Sequence, residues 1–144
     1  MIKRQTYISN SPEETFSIGK KLASTLTGGE VLALVGDLGA GKTVFVQGLA
    51  VGLRVKELVN SPTYIIMKLY KANRGVIKQL CHVDAYRLSS GLELKDIGVD
   101  EYFGLIDTVT ALEWPEKIEE ILPKDYIHIS IETRGENIRK IIIK

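Results

Sequence analysis

Hydrophobic positions near the N-terminus predict a strand followed by an amphipathic helix. Residues 2–8 are typical of a short strand. The Ser-Pro-Glu-Glu sequence at 11–14 predicts a helix start, with a capping serine, a proline at the first helical position and a capping-box glutamate. The helix is expected to extend to about residue 26. Its apolar face, which we expect in the core, consists of Phe16, Gly19, Leu22, Ala23 and Leu26.

A second strand and helix follow. The Gly-Gly pair at 28–29 ends the first helix, and residues 30–35 form an almost continuous apolar run that is typical of a strand. Residues 42–51 are compatible with a helix, which Gly52 is expected to end. The pattern therefore predicts a strand, a glycine-rich loop and a helix in succession.

The middle of the chain is predicted to form a hairpin. An apolar run at 64–67 and a strand at 76–83 flank residues 71–75, whose Lys-Ala-Asn-Arg-Gly sequence is typical of a turn. Because the turn is short, we expect the two strands to be antiparallel.

The C-terminal part predicts short helices, one apolar strand and a closing hairpin. Residues 89–104 are polar and interrupted by glycines, which favours two short helices, and residues 115–121 predict a helical turn. Residues 108–112 form an apolar strand between these segments. Two last strands, at 126–131 and 138–143, flank an Arg-Gly-Glu-Asn turn.

Interleaved strands and helices, with hairpins at the flanks, indicate the fold class. We predict an α/β fold of three layers, whose mixed sheet is parallel in its centre and has flanking antiparallel strands. The length of 144 residues matches a single domain, 1–144, with one sheet and helices packed on it.

Composition and charge argue against several classes of protein. The formal net charge is +1 and no block of lysine and arginine stands out, so direct RNA binding by this chain alone is weakly supported. The N-terminus lacks the apolar core of a signal peptide and no apolar run approaches the length of a membrane span, which predicts a cytoplasmic protein without membrane contact. Cys81 is the only cysteine, so no structural disulfide is expected, and its apolar neighbours favour a small buried side chain.

The loop between the second predicted strand and helix carries the most specific motif. It fits the phosphate-binding P-loop pattern G-x-x-x-x-G-K-[ST] with Gly36, Asp37, Leu38, Gly39, Ala40, Gly41, Lys42 and Thr43. Backbone N–H groups at a helix N-terminus bind phosphate oxygens, and glycines let the backbone approach them. Lys42 is expected to reach the β- and γ-phosphates, and the Thr43 hydroxyl to bind Mg²⁺. The sequence therefore predicts a P-loop NTPase fold.

Two acidic residues at predicted strand ends are candidates for the remaining chemistry. In open α/β sheets ligands bind beyond the carboxyl ends of the strands, where Asp84 and Glu113 are expected. A P-loop enzyme needs one carboxylate for Mg²⁺ and a group that orients the attacking nucleophile, and the pattern leaves open which acid does which. His82 is expected on the same strand face as Asp84, where packing or a hydrogen bond near that acid is favoured over metal ligation.

Three further residues have more than one interpretation. Asp37 is unusual inside a P-loop, and the sequence leaves open whether it faces a metal ion or the attacking water, or lies outward in solvent. Thr63 is expected either to cover the γ-phosphate or to begin a strand. Trp114 is the only tryptophan, and it is expected to contact a nucleotide or a partner, or to have a partly buried edge.

Other classes of P-loop protein fit less well. The chain lacks the N/T-K-x-D and D-x-x-G motifs of GTPases, and it is too short for an ABC-transporter domain. A small-molecule kinase fits the length, but the stretch between Arg87 and Arg134 contains no arginine for a lid over the transferred phosphate. A metabolite kinase and a non-catalytic, nucleotide-dependent adaptor are the alternatives to an ATPase.

Four motifs in this order resemble one family. They are Gly36 to Thr43, Ser-Pro-Thr-Tyr at 61–64, His-Val-Asp-Ala-Tyr-Arg-Leu at 82–88 and Glu-Trp-Pro-Glu at 113–116. Together they resemble the TsaE family, also called YjeE, of small bacterial ATPases of tRNA threonylcarbamoyladenosine synthesis. The resemblance extends from the helix at residue 11 to the Arg-Gly at 134–135.

This resemblance implies a protein that binds and hydrolyses ATP with Mg²⁺ in association with the TsaB and TsaD proteins. That assembly forms N6-threonylcarbamoyladenosine beside the anticodon of tRNA, so tRNA would be an indirect partner, met through the complex. The resemblance also implies roles for individual residues: Asp84 on the metal, Glu113 assisting hydrolysis, Thr63 in a switch-like loop and Trp114 beside the nucleotide pocket.

Overall fold

The computed structural model describes residues 3–60 and 66–144, which build a seven-stranded sheet with helices packed on it. The strands are β1 (Gln5–Ser9), β2 (Val31–Val35), β3 (Met67–Arg74), β4 (Ile77–Asp84), β5 (Thr108–Glu113), β6 (Ile127–Thr133) and β7 (Arg139–Ile143). The α-helices are α1 (Pro12–Ala23), α2 (Lys42–Gly52) and α3 (Gly91–Asp96). Short 3₁₀ segments occupy Val99–Tyr102, Pro115–Lys117 and Glu119–Ile121.

The sheet is mixed and parallel in its centre, as predicted. Its strand order is β1-β7-β6-β2-β5-β4-β3. β2 pairs in parallel with β6 and with β5, and β5 pairs in parallel with β4. The outer pairs β1–β7, β7–β6 and β3–β4 are antiparallel. Since β2, β5 and β4 run in one direction, the residues that follow them meet at one edge of the sheet.

Two apolar cores separate the three layers. One core lies between one sheet face and the pair α1 and α2, and its fully buried side chains include Leu32, Leu34, Phe45, Leu49 and Ile129. The other core lies under α3 and the 3₁₀ segments and includes Val83, Leu94, Val99, Leu112 and Ile118. The strands contribute to both cores because successive side chains point to opposite faces. This arrangement confirms the predicted three-layer α/β fold.

α1 and α2 pack at close range, which fixes α2 against the sheet. A Cβ atom on Gly48 of α2 would lie 1.9 Å from the carbonyl oxygen of Phe16 in α1, so only glycine fits there. On the apolar face predicted for α1, Gly19, Leu22 and Ala23 are buried and Phe16 is half-buried. α2 is therefore held against α1 by a tight interhelical contact.

Several predicted boundaries differ from the structure. α1 ends at Ala23 and not near residue 26, with two turn residues following it. The hairpin turn lies at residues 75–76, because β3 continues to Arg74 and buries Tyr70 and Ala72. A turn-like sequence was thus overridden by side-chain burial. Residues 1–2 and 61–65 lie outside the described part of the chain, and so do the predicted first strand residue and the start of the run at 64–67.

The structure bears on two features raised by the composition, the apolar length of the helices and the setting of Cys81. Across residues 3–60 and 66–144, no helix has both the length and the apolar character needed to cross a membrane. Cys81 is a buried free thiol, and burial raises its pKa to about 12. Its burial agrees with the predicted small buried side chain. The raised pKa keeps the thiol protonated, and a protonated thiol is a poor nucleophile.

Candidate functional site

The P-loop motif connects β2 to α2, and its glycines have backbone geometries that need glycine. Gly41 precedes α2 with φ 105°, and Gly39 has φ 79°. Both values lie in the left-handed region that side chains disfavour. A Cβ atom on Gly36 would come within 2.7 Å of the carbonyl oxygen of Ile131. The loop therefore presents backbone N–H groups at the start of α2, where a helix has unpaired donors for an anion.

The remaining loop residues divide between core and solvent. Ala40 is buried, whereas Asp37 and Leu38 are exposed, and the Asp37 carbonyl accepts a hydrogen bond of 3.0 Å from the Ala40 N–H. Thr43 lies half-buried in the first turn of α2. The exposed position of Asp37 agrees with the outward-facing alternative, although its charge still acts on Lys42.

Lys42 is buried and is held by two contacts inside the protein. Its Nζ donates a hydrogen bond of 2.6 Å to the Gly36 carbonyl and lies 3.6 Å from the centroid of the Trp114 ring. Burial lowers the pKa of Lys42, and four carboxylates oppose that shift: Glu113, Glu116, Asp84 and Asp37. The lysine is therefore a desolvated cation among acids, with its ammonium available to exchange the Gly36 carbonyl for a stronger anionic acceptor.

Asp84 and Glu113 lie at the carboxyl ends of β4 and β5, as predicted, and the pairing of these two strands places them side by side. They are register partners at the ends of β4 and β5, and the Ala85 N–H donates to the Glu113 carbonyl at 3.0 Å. Asp84 Oδ1 accepts a hydrogen bond of 2.9 Å from the Tyr86 N–H. Burial raises the pKa of Asp84, the Tyr86 N–H opposes this rise, and the nearby Glu113 charge adds to it. Glu113 itself is only 3% exposed.

Asp84 and Thr43 are the candidates for holding a metal ion. Within the described residues no group of three or more His, Cys, Asp or Glu side chains could hold a metal by itself. Mg²⁺ is usually bound by one or two carboxylates together with substrate phosphates and water. Asp84 is half-buried, and Thr43 offers a hydroxyl at the start of α2. These residues fit a magnesium ion that arrives with phosphates.

His82 is buried and hydrogen-bonds to Glu113, the register partner of Asp84, which agrees with the predicted hydrogen bond near that acid. Its Nε2 lies 2.6 Å from Glu113 Oε2, and both side chains are buried, with exposures of 0% and 4%. Because a carboxylate accepts, Nε2 is the donor. The Asp84 carboxylate instead accepts from the Tyr86 N–H. The histidine of β4 therefore contacts the neighbouring strand β5 through Glu113. His82 thus restrains one carboxylate oxygen of Glu113.

Trp114 forms a wall of the site next to Lys42. It has φ 62°, an uncommon value for a residue with a side chain, and its ring is tilted by 51° against Tyr86 at 5.0 Å. Trp114 is half-buried and Tyr86 is 45% exposed. The structure thus shows the partly buried ring that was one of the two interpretations of Trp114, and contact with a nucleotide or a partner stays a prediction.

Thr63 lies outside the described residues, so its predicted place in the site is not described.

The structure adds Arg139, whose Nε donates to the Ala40 carbonyl at 2.9 Å. No local sequence pattern marks this arginine, because the contact joins residues 99 positions apart and depends on the place of β7 in the sheet.

Comparisons with known proteins match nearly the whole chain. The family model described as threonylcarbamoyl adenosine biosynthesis protein TsaE matches residues 9–141. The tRNA threonylcarbamoyladenosine biosynthesis protein TsaE of Bacillus subtilis is 44% identical over 140 residues, covering 97% of this chain and 85% of that protein. The protein of the same name from Aquifex aeolicus is 38% identical over 138 residues, covering 94% and 92%. The crystal structure of Bacillus subtilis YdiB has a TM-score of 0.79 at 40% identity and covers 99% of this chain and 86% of that one.

Proposed function

Because the chain belongs to the TsaE family of tRNA threonylcarbamoyladenosine biosynthesis, we propose that it is an ATPase that binds and hydrolyses Mg²⁺-ATP for this pathway. The observation that carries the proposal is the convergence of Lys42, Asp84 and Glu113. Their charges act on one another at the carboxyl ends of β2, β4 and β5, beside the P-loop. A phosphate-binding loop with two adjacent carboxylates is the arrangement that phosphoryl transfer to water needs.

The triphosphate is assigned to the P-loop. Backbone N–H groups of residues 36–43 bind its oxygens, and Lys42 moves its Nζ from the Gly36 carbonyl to the β- and γ-phosphates. Trp114 supports this exchange because Lys42 Nζ lies 3.6 Å from the centroid of its ring, and this cation–π contact can persist when the lysine binds phosphate.

Asp84 and the Thr43 hydroxyl would hold Mg²⁺ together with the phosphates. When bound, Mg²⁺ supplies positive charge that offsets the negative charge of the phosphates. Burial raises the pKa of Asp84 because it disfavours the charged carboxylate, and a bound cation would offset that cost.

Glu113 is assigned the role of orienting the attacking water. His82 holds one of its carboxylate oxygens at 2.6 Å, which leaves the other oxygen to accept a hydrogen bond from water. A carboxylate that is fixed before the reaction need not reorganise during it. In this assignment His82 is a positioning residue that acts through Glu113.

His82→Ala is expected to lower kcat about tenfold with little change in ATP affinity, since small errors in placing a catalytic group are costly in rate. It should also lower the free energy of unfolding by about 3 kcal/mol, because a buried carboxylate loses its partner. Steady-state kinetics and thermal unfolding measure both effects. His128→Ala is the matched control, since His128 is the only other histidine. Equal kcat values for His82→Ala and the native protein would remove His82 from the mechanism.

The pathway role implies partner proteins, and the charges around Lys42 favour the same conclusion. The groups whose charges act on this lysine are four carboxylates. An added cation would therefore stabilise the negative charge of phosphoryl transfer. We propose that the TsaB and TsaD proteins complete the site, with tRNA as an indirect partner in the cytoplasm.

Turnover is expected to be slow for the protein alone and to rise about tenfold or more with TsaB and TsaD, because a cation supplied in trans can accelerate phosphoryl transfer strongly. Phosphate release, measured with and without the two proteins, tests this prediction. Equal rates would contradict the proposed dependence on partners. Transfer of the γ-phosphate to a small acceptor, with no release of free phosphate, would instead identify a kinase.

A further inference from the structure

Arg139, the first residue of β7, connects the C-terminal hairpin to the P-loop. It pairs in register with Ser9 of β1 and Thr133 of β6, two strands away from β2. From there its Nε donates to the Ala40 carbonyl at 2.9 Å, and its Nη2 makes a longer contact of 3.4 Å with the Gly39 carbonyl. The guanidinium therefore contacts two consecutive carbonyl groups of the loop.

The contact with Ala40 has a consequence for the next N–H group. The Ala40 carbonyl and the Gly41 N–H belong to one peptide unit, and in a trans peptide these two bonds point in opposite directions. Fixing the carbonyl toward Arg139 therefore fixes the Gly41 N–H toward the other side of the loop. The preceding peptide is also held, because the Ala40 N–H donates to the Asp37 carbonyl.

The other end of the guanidinium holds the turn between β6 and β7. Nη1 donates to the carbonyls of Gly135 at 3.1 Å and Ile138 at 3.0 Å, with a longer contact of 3.3 Å to Glu136. A planar fork with five N–H donors can bind acceptors on two sides at once, whereas an ammonium group is a compact point donor. Contacting the loop and the turn at the same time therefore requires an arginine at this position.

All of these acceptors are neutral carbonyl oxygens. Arg139 takes no part in the ion pairs His82–Glu113 and Arg134–Glu132. The positive charge of Arg139 therefore lies beside the P-loop and adds to the electrostatic potential that attracts an anion there.

We propose that Arg139 is a positioning residue for phosphate binding, which aims the Gly41 N–H at the nucleotide by holding the Ala40 carbonyl from behind the loop. This inference rests on the proposed ATPase function. It makes the hairpin of β6 and β7, which contributes no residue to the predicted motif, a structural part of the nucleotide site.

The test compares Arg139→Gln and Arg139→Lys with Arg134→Gln. Arg134 lies on the same hairpin, is exposed and pairs only locally with Glu132, so it controls for loss of one positive charge. Calorimetry with Mg²⁺-ATP and Mg²⁺-ADP should show affinity reduced about tenfold for both Arg139 variants, because charge-assisted hydrogen bonds that order the loop are lost. The value of kcat at saturating ATP should change little, and Arg134→Gln should bind like the native protein.

Full affinity in Arg139→Lys would overturn the proposal, because it would show that the guanidinium fork between the loop and the turn is not needed for nucleotide binding. Native affinity in Arg139→Gln would overturn it as well. If Arg139→Gln does not fold, the amide resonance of Gly41 in Arg139→Lys decides the question: it should respond to ADP less than in the native protein, and an unchanged response would contradict the proposal. Failure of the native protein to bind ATP would refute the proposed function itself and is recognised in the same experiment.

Discussion

Replacement of Glu113 by glutamine is expected to abolish most ATP hydrolysis while ATP still binds. A positioned general base contributes roughly 10²–10⁴ in rate, so we expect kcat to fall by at least about 100-fold. The substitution keeps the size of the side chain and an oxygen that can accept from His82. It removes the charge that would orient and deprotonate water. Phosphate release under saturating ATP and calorimetric titration with ATP measure the two effects separately.

Glu116→Gln is the matched control for this experiment. Glu116 is exposed and lies close enough for its charge to act on Lys42, but it is outside the strand-end pair of carboxylates. We expect it to keep native kcat. Loss of ATP binding in Glu113→Gln, with an intact fold by thermal unfolding, would show that Glu113 supports binding and is not the group that orients water.

Lys42→Ala is expected to weaken the affinity for ATP by about 100-fold, because charge-assisted hydrogen bonds to the phosphates are lost. The free protein should remain folded, since burial lowers the pKa of Lys42 and its removal relieves that desolvation. Nucleotide titration measures the affinity. Trp114 is the only tryptophan and lies against Lys42, so its fluorescence should differ between the variant and the native protein even without nucleotide.

Lys68→Ala provides the control for Lys42→Ala. Lys68 is an exposed lysine whose Nζ also lies over an aromatic ring, that of Tyr70 at 5.0 Å, on the outermost strand β3. Its removal should leave ATP affinity unchanged. Native affinity in Lys42→Ala would be incompatible with phosphate binding by this loop as proposed.

Much of the fold was predictable because its signals are local. The capping sequence at 11–14 placed the start of α1, and the structure shows Ser11 accepting from the Glu14 N–H at 3.1 Å. The apolar run before the P-loop is β2, and the hairpins at both flanks are antiparallel. Among the boundaries that were wrong, the turn after β3 was decided by burial of Tyr70 and Ala72, which a local turn pattern does not report.

By itself, the sequence determined that a loop with the P-loop motif joins a buried strand to a helix, and that acids lie at the ends of two strands. These are properties of neighbouring residues. Only the tertiary structure decided that His82 pairs with Glu113, that Lys42 lies over Trp114, and that Arg139 holds the Ala40 carbonyl. Each of these contacts joins residues far apart in the chain, so its existence depends on strand order and register. Strand order and register follow from burial across the whole sheet and not from any one segment.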